Sequence, residues 1–206
     1  MEASRVGPGV LRVTPLVVSA SILATVSPGL SSIFIFDRSA LLRGEVWRLS
    51  SCHLVHFGSI HLAYNLLAFG AAGWIIERKG YPRFGWLCLA MAFFVSTALF
   101  ILKPEMAFYG GLSGMACGSI FYGALMGAGE GGAWRKTCLL VLLFLLLKIG
   151  VEMLTADSLL PYWGTAAFVP VPLSHVAGVT AALSSSRSSL PAWIRAPAAP
   201  GSRQSR

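Results

Sequence analysis

Six apolar stretches, each near the length a helix needs to cross a bilayer, dominate this chain of 206 residues. A crossing helix takes about 20 mostly apolar residues, and the stretches run roughly over 15–36, 61–76, 84–102, 111–126, 137–154 and 171–184. Between them only short loops and two tails remain, so no separate soluble domain is expected. Composition agrees: 55% of the residues are hydrophobic and 12% charged, about half the charged share of an ordinary soluble domain. A water-soluble fold with a mean hydropathy of +0.71 would leave large apolar patches in water. The expected fold class is therefore an all-α membrane protein of six helices, with its apolar surface against membrane lipid.

The start of the chain also resembles a secretory signal, with Arg5 and Arg12 before an apolar run and small residues at 27–32. The run continues through Ile33, Phe34, Ile35 and Phe36, which favours a retained helix bent at Pro28-Gly29. Loops rich in Lys and Arg stay in the cytoplasm. Arg5, Arg12, Arg78, Lys79, Arg83, Arg135, Lys136 and the arginines of the tail fall on one side, against Arg38, Arg43, Arg48 and Lys103 on the other. Both termini are thus expected in the cytoplasm, as a tail over 1–13 and a disordered basic tail over 185–206 flanking a membrane domain over 14–184. The same asymmetry explains the net charge of +8 without any nucleic acid partner. Cys52, Cys88, Cys117 and Cys138 are scattered, contain no CxxC pair, and read as packing residues.

With the N-terminus inside, the second, fourth and sixth helices all begin at the outer face. Polar residues collect at those ends: His53, His56, His61 and Asn65, then Ser113, then His175. Such groups are costly in a membrane and by default mark a functional site. Ser113 lies in Gly111-Leu-Ser-Gly114, where residues without bulk leave a hydroxyl accessible and the start of a helix offers free N–H groups. Gly114 and Gly118 also read as a packing face with Ser113 as a mere cap. Gly178 and Ala182, following His175, form a second small face. If the two faces meet, Ser113 and His175 come together as a nucleophile and its base. His61 and Asn65, four residues apart, share one helix face and can donate hydrogen bonds to an oxyanion. No acidic residue is expected beside the imidazole, because Glu152 belongs to another helix and Asp157 to a loop.

These residues, in their order along the chain, resemble the rhomboid family of intramembrane serine proteases: Trp47-Arg48, His56, the HxxxN of His61 and Asn65, Glu77, Arg83-Phe84, the GLSG of 111–114, and His175-Val-Ala-Gly178. The resemblance implies a six-transmembrane-helix rhomboid-like bundle in the bacterial inner (plasma) membrane. It implies Ser113 and His175 as a catalytic dyad, Asn65 and His61 as oxyanion donors, and no metal or cofactor. Within the family the chain is similar to rhombosortases, which implies single-pass membrane protein substrates with a C-terminal GlyGly-type sorting signal. Cys117 departs from the family pattern, which often places an aromatic four residues after the serine.

Two other classes compete. Three histidines within nine residues invite a metal, and a rhomboid-like fold can serve as a scaffold that binds membrane segments without cutting them. Lys148 and Glu152, at spacing i, i+4 inside the fifth helix, read either as a structural ion pair or as a weak recognition site for basic residues of a substrate tail. The orientation has a direct check: a reporter fused after Arg206 should read as cytoplasmic and one inserted near Pro161 as external. A C-terminus found outside would give an odd number of crossings and separate the three helix starts.

Overall fold

The computed structural model describes residues 12–155 and 171–186. Arg5, Asp157, Pro161 and the tail beyond Ser186 lie outside the described residues. The elements in chain order are α1 (Val13–Val26), α2 (Pro28–Phe34), β1 (Phe36–Asp37), α3 (Arg38–Leu42), α4 (Arg48–Ser51), a 3-10 turn (Cys52–Leu54), α5 (Ser59–Lys79), α6 (Phe84–Leu102), β2 (Phe108–Tyr109), α7 (Ser113–Ala128), α8 (Gly132–Thr155) and α9 (Pro172–Ser186).

The expected first span is not one bent helix. Ser27 ends α1, Pro28 opens α2, and the two axes differ by 109°. Pro28 has no N–H to continue the α1 ladder but suits the first turn of a new helix, and the Ser27 hydroxyl accepts the Leu30 N–H there. Ser31 Oγ then donates to the Ala24 carbonyl at 2.6 Å, fastening the elbow.

By length and composition α5, α6 and α8 can cross a membrane, and the α1–α2 pair makes a fourth if counted as one crossing. Among the described residues this test thus passes three or four of the six expected spans. At 16 and 15 residues, α7 and α9 rise only about 22–24 Å, short of a hydrocarbon core of about 30 Å. Their shortness follows from their surroundings. α7 packs against α5, α6, α8 and α9, and nearly all its side chains are buried, so protein surrounds it where lipid would otherwise be. The chain reaches its start through the extended segment from β2 to Leu112. Apolar side chains of α6 (Trp86, Leu89, Phe93) and α8 (Leu140, Phe144, Leu147) point outward, which suits a lipid-facing surface and makes this an integral membrane bundle.

One departure from an all-helical fold is the ribbon in which Phe36 pairs with Tyr109 and Asp37 with Phe108, antiparallel. Two arginines bolt the surrounding segment to the bundle. Arg48, buried, donates to the carbonyls of Ser32 and Ile35 and pairs with Glu45 at 2.7 Å. Arg38 donates to the carbonyls of Phe100, Lys103 and Met106 at the end of α6.

α7 and α9 touch backbone to backbone. A Cβ placed on Gly178 would lie 1.9 Å from the Gly114 carbonyl oxygen, and one on Gly114 would lie 2.7 Å from the Ser174 carbonyl oxygen. Neither obstacle is a side chain that can turn aside. Gly178→Ala is therefore expected to force the helices apart and lower stability by about 3 kcal/mol, the upper end of ordinary overpacking costs. Gly150, with open space where its Cβ would be, should accept alanine without loss. Thermal unfolding of both variants in detergent micelles checks this; equal midpoints would deny the close contact its role.

Candidate active site

The α7–α9 contact decides what stands at the starts of both helices. Gly114 abuts the Ser174 carbonyl, so the residues next to them in sequence, Ser113 on α7 and His175 on α9, lie at the same end of the interface. Ser113 is half-buried and His175 is buried. Tyr109, buried on β2, lies beside the Ser113 and Ser174 hydroxyls.

His61 and Asn65 come from α5, both buried, and approach the strand that leads into Ser113. Gly111 there has φ +123°, which a side-chain-bearing residue rarely adopts. A Cβ on Gly111 would lie 2.7 Å from His61 Cε1 and 3.4 Å from Asn65 Nδ2. Glycine thus lets the imidazole and the amide come within two residues of the serine. His61 is also near enough to His175 for the rings to interact electrostatically. The Asn65 amide nitrogen is buried and has no hydrogen-bond partner among the described residues. A buried donor without a partner costs about 1–3 kcal/mol, so it marks a place where stability is given up.

The backbone around Ser113 is held from the side of the 3-10 turn. The Gly111 N–H donates to the Cys52 carbonyl, and the Leu112 N–H donates to His56 Nε2 at 3.3 Å. Burial, with His61 beside it, pushes His56 down to about 3, so the ring is neutral and its Nε2 can accept. Its Nδ1 faces Thr25 Oγ1 at 3.4 Å. His53 Nε2 faces the Ala92 carbonyl at 2.8 Å and the Ser96 hydroxyl at 2.9 Å, and its Nδ1 faces the Gly111 carbonyl. The three nearby histidines therefore serve three different structural surroundings. Among the described residues no group of three or more His, Cys, Asp or Glu is arranged to hold a metal.

The expectation that no acid stands near the imidazole is overturned. Glu152 Oε2 lies 2.9 Å from His175 Nδ1 and 2.6 Å from Lys148 Nζ. Glu152 is 1% exposed, enclosed between α8 and α9, and its oxygen already serves two partners. That geometry fits the reading of Lys148 and Glu152 as a structural ion pair. The i, i+4 spacing announced the link to Lys148, but nothing local in sequence announces a contact from α8 to α9. His53 and His56 were visible as out-of-place polar residues, without any sign of the Gly111–Leu112 backbone they hold.

The Rhomboid domain family matches residues 43–186, a span that takes in the four histidines, Asn65, Ser113, Lys148 and Glu152, and the chain belongs to that family. Over 91 residues, 44% of this chain, it is 36% identical to Rhomboid protease GluP of Bacillus subtilis (strain 168). The matched part is 17% of that protein's length.

His53→Leu should expose the cost of the scaffold. The Gly111 and Ala92 carbonyls and the Ser96 hydroxyl would lose a buried partner, and stability should fall by about 1–3 kcal/mol. Unfolding in micelles measures it, and an unchanged midpoint would mean that these contacts contribute nothing.

Proposed function

We propose that this protein is an intramembrane serine endopeptidase that cleaves membrane-anchored proteins near their transmembrane segments, using Ser113 as nucleophile and His175 as general base. The observation that carries this reading is the backbone contact of Gly114 with Ser174, which puts the neighbouring Ser113 and His175 at the same end of the α7–α9 interface, with the buried Asn65 amide nitrogen close to Gly111. Membership of a family of intramembrane serine proteases supports it, as does the likeness to a protein named as a rhomboid protease.

The chemistry follows from the placement. Ser113 Oγ attacks the scissile carbonyl while its proton passes to His175 Nε2. The negative oxygen of the tetrahedral intermediate accepts from Asn65 Nδ2, from His61 and from the Ser113 N–H, the first of α7. The first intrahelical bond of α7 is from the Ala116 N–H to the Leu112 carbonyl, so the N–H groups before it point out of the helix start. Collapse of the intermediate expels the amine, which takes the proton from His175, and leaves an ester on Ser113. Water, deprotonated by the same imidazole, then releases the acid and restores the hydroxyl.

In its finer form the proposal is a rhombosortase-like enzyme. Its substrates are single-pass membrane proteins with a C-terminal GlyGly-type signal, and it works without cofactor or nucleic acid. It would sit in the bacterial inner membrane with α7 and α9 as short fourth and sixth spans and both termini cytoplasmic. The motif order from Trp47 to Ala182 and the Lys148–Glu152 pair support that branch.

Co-expression with a substrate bearing such a tail should yield a cleaved product with the wild type and none with Ser113→Ala or His175→Ala. Asn65→Ala should lower kcat by about 10²–10³-fold, the usual loss for one oxyanion donor. Cleavage near the wild-type rate in Ser113→Ala would reject the nucleophile. Wild-type protein that neither cleaves nor takes a fluorophosphonate on Ser113 would favour the non-catalytic scaffold.

A further inference from the structure

Two facts about His175 belong together: its Nδ1 lies 2.9 Å from Glu152 Oε2, and that carboxylate is sealed between α8 and α9 with 1% of its surface exposed. We infer that Glu152 is a positioning residue for His175, so that the site is a Ser113–His175–Glu152 triad within the membrane, with Lys148 as the fixed counter-ion of its acid. The inference rests on the protease reading above and deepens it.

The tautomer of His175 decides which nitrogen can act as a base. A neutral imidazole carries one proton, and only the nitrogen without it can take a proton from Ser113. A carboxylate accepts and cannot donate, so Glu152 Oε2 at hydrogen-bond distance requires the proton on Nδ1. Nε2 then holds the lone pair. Ring rotation would break the bond to Glu152, which restrains the imidazole in the one orientation that serves the serine. When Ser113 attacks, its proton moves to Nε2, the ring becomes a cation, and the Nδ1 proton stays in its bond to Glu152 without crossing to the carboxylate. Charge on the acid is thus matched to the charge that forms on the base.

Lys148 explains how a carboxylate can wait there. A buried charge without compensation costs several kcal/mol, whereas a close ion pair with further hydrogen bonds recovers much of that. Lys148 Nζ is 2.6 Å from the same Oε2 that faces His175, one helical turn away on α8. One oxygen between two donors ties α8 to α9 at the depth of the reaction. Cys117 on α7 lies near Lys148 and Glu152, and His61 on α5 lies near His175; among these groups Glu152 is the one carboxylate.

The test reads the imidazole directly. The chain has four histidines, so [15N]histidine spectra in detergent micelles can be assigned by loss of signals in His175→Ala. In the wild type, His175 should show a protonated Nδ1 and a lone-pair Nε2. Glu152→Gln should mix or invert this pattern, because an amide can donate to Nδ1. It should also lower kcat by about 10²–10⁴-fold, the upper figure being the loss when the acid of a serine protease triad becomes its amide. KM should change less than twofold. Glu152→Asp, which keeps the charge on a shorter arm, should restore the tautomer and part of the rate.

If Glu152→Gln fails to fold, the double variant Lys148→Met with Glu152→Gln removes both charges together and answers the same question. Protonation of His175 on Nε2 in the wild type, or a folded Glu152→Gln protein with unchanged kcat, would overturn the inference. Failure of the protease reading has a different sign: Ser113 of the wild type would take no fluorophosphonate even with His175 in the Nδ1-protonated form.

Discussion

The close backbone approach of α7 and α9 sets where the starts of these two helices, with Ser113 and His175, lie. A helix pair separated by ordinary side chains sits about 8–10 Å apart, too far for short side chains at its edge to share a proton. Here the Gly114 carbonyl occupies the place a Cβ on Gly178 would need, and the Gly178 carbonyl lies 2.6 Å from the place of a Cβ on Gly118. In lipid there is little hydrophobic gain in bringing two apolar helices together, so association depends on packing and on polar contacts. Glycine faces supply the packing. The polar contact between α8 and α9, from Glu152 to His175, supplies the other half.

That second contact shows how a charged network is tolerated at such a depth. Lys148, Glu152 and His175 meet at one oxygen, and α8 is otherwise an apolar helix whose outward side chains suit lipid. Removing any one member would strand another. The energetic consequence is that the group acts as a unit, and substitutions within it should not add. The same unit ties α9 to α8, since the carboxylate that pairs with Lys148 within α8 also meets the imidazole ring of His175.

Much of the site was legible in the sequence because its parts announce themselves locally. Ser113 stands among glycines, His61 and Asn65 keep helical spacing, and His175 precedes a small-residue face. Hydropathy likewise marked α5, α6 and α8, whose lipid-facing surfaces need apolar side chains. α7 and α9 are shorter than the length test for a crossing requires, and α7 is apolar on nearly all sides because protein surrounds it. Pro28 in the first run was expected to bend one helix, yet Ser27 caps a new one and the chain turns by 109°. The partner of Glu152 could not be read at all. Its nearest charged neighbour in sequence satisfies the helix pattern, and the contact to His175 exists only once α9 is laid against α8.

Irregular backbone inside a membrane protein must find its hydrogen bonds within the protein, and the segment entering α7 shows what that demand leaves over. The Gly111 N–H is taken by the Cys52 carbonyl and the Leu112 N–H by His56. The helix ladder resumes with the Ala116 N–H on the Leu112 carbonyl. Between these fixed points lie the N–H groups of the first turn of α7, beginning with Ser113, and the Asn65 amide nitrogen, close to Gly111, is without a hydrogen-bond partner among the described residues. The histidines of the 3-10 turn and the loop after it hold the backbone that leads into Ser113 from one side. Under the proposed function, the donors on the side of the serine are the ones the developing negative charge of a substrate oxygen would use.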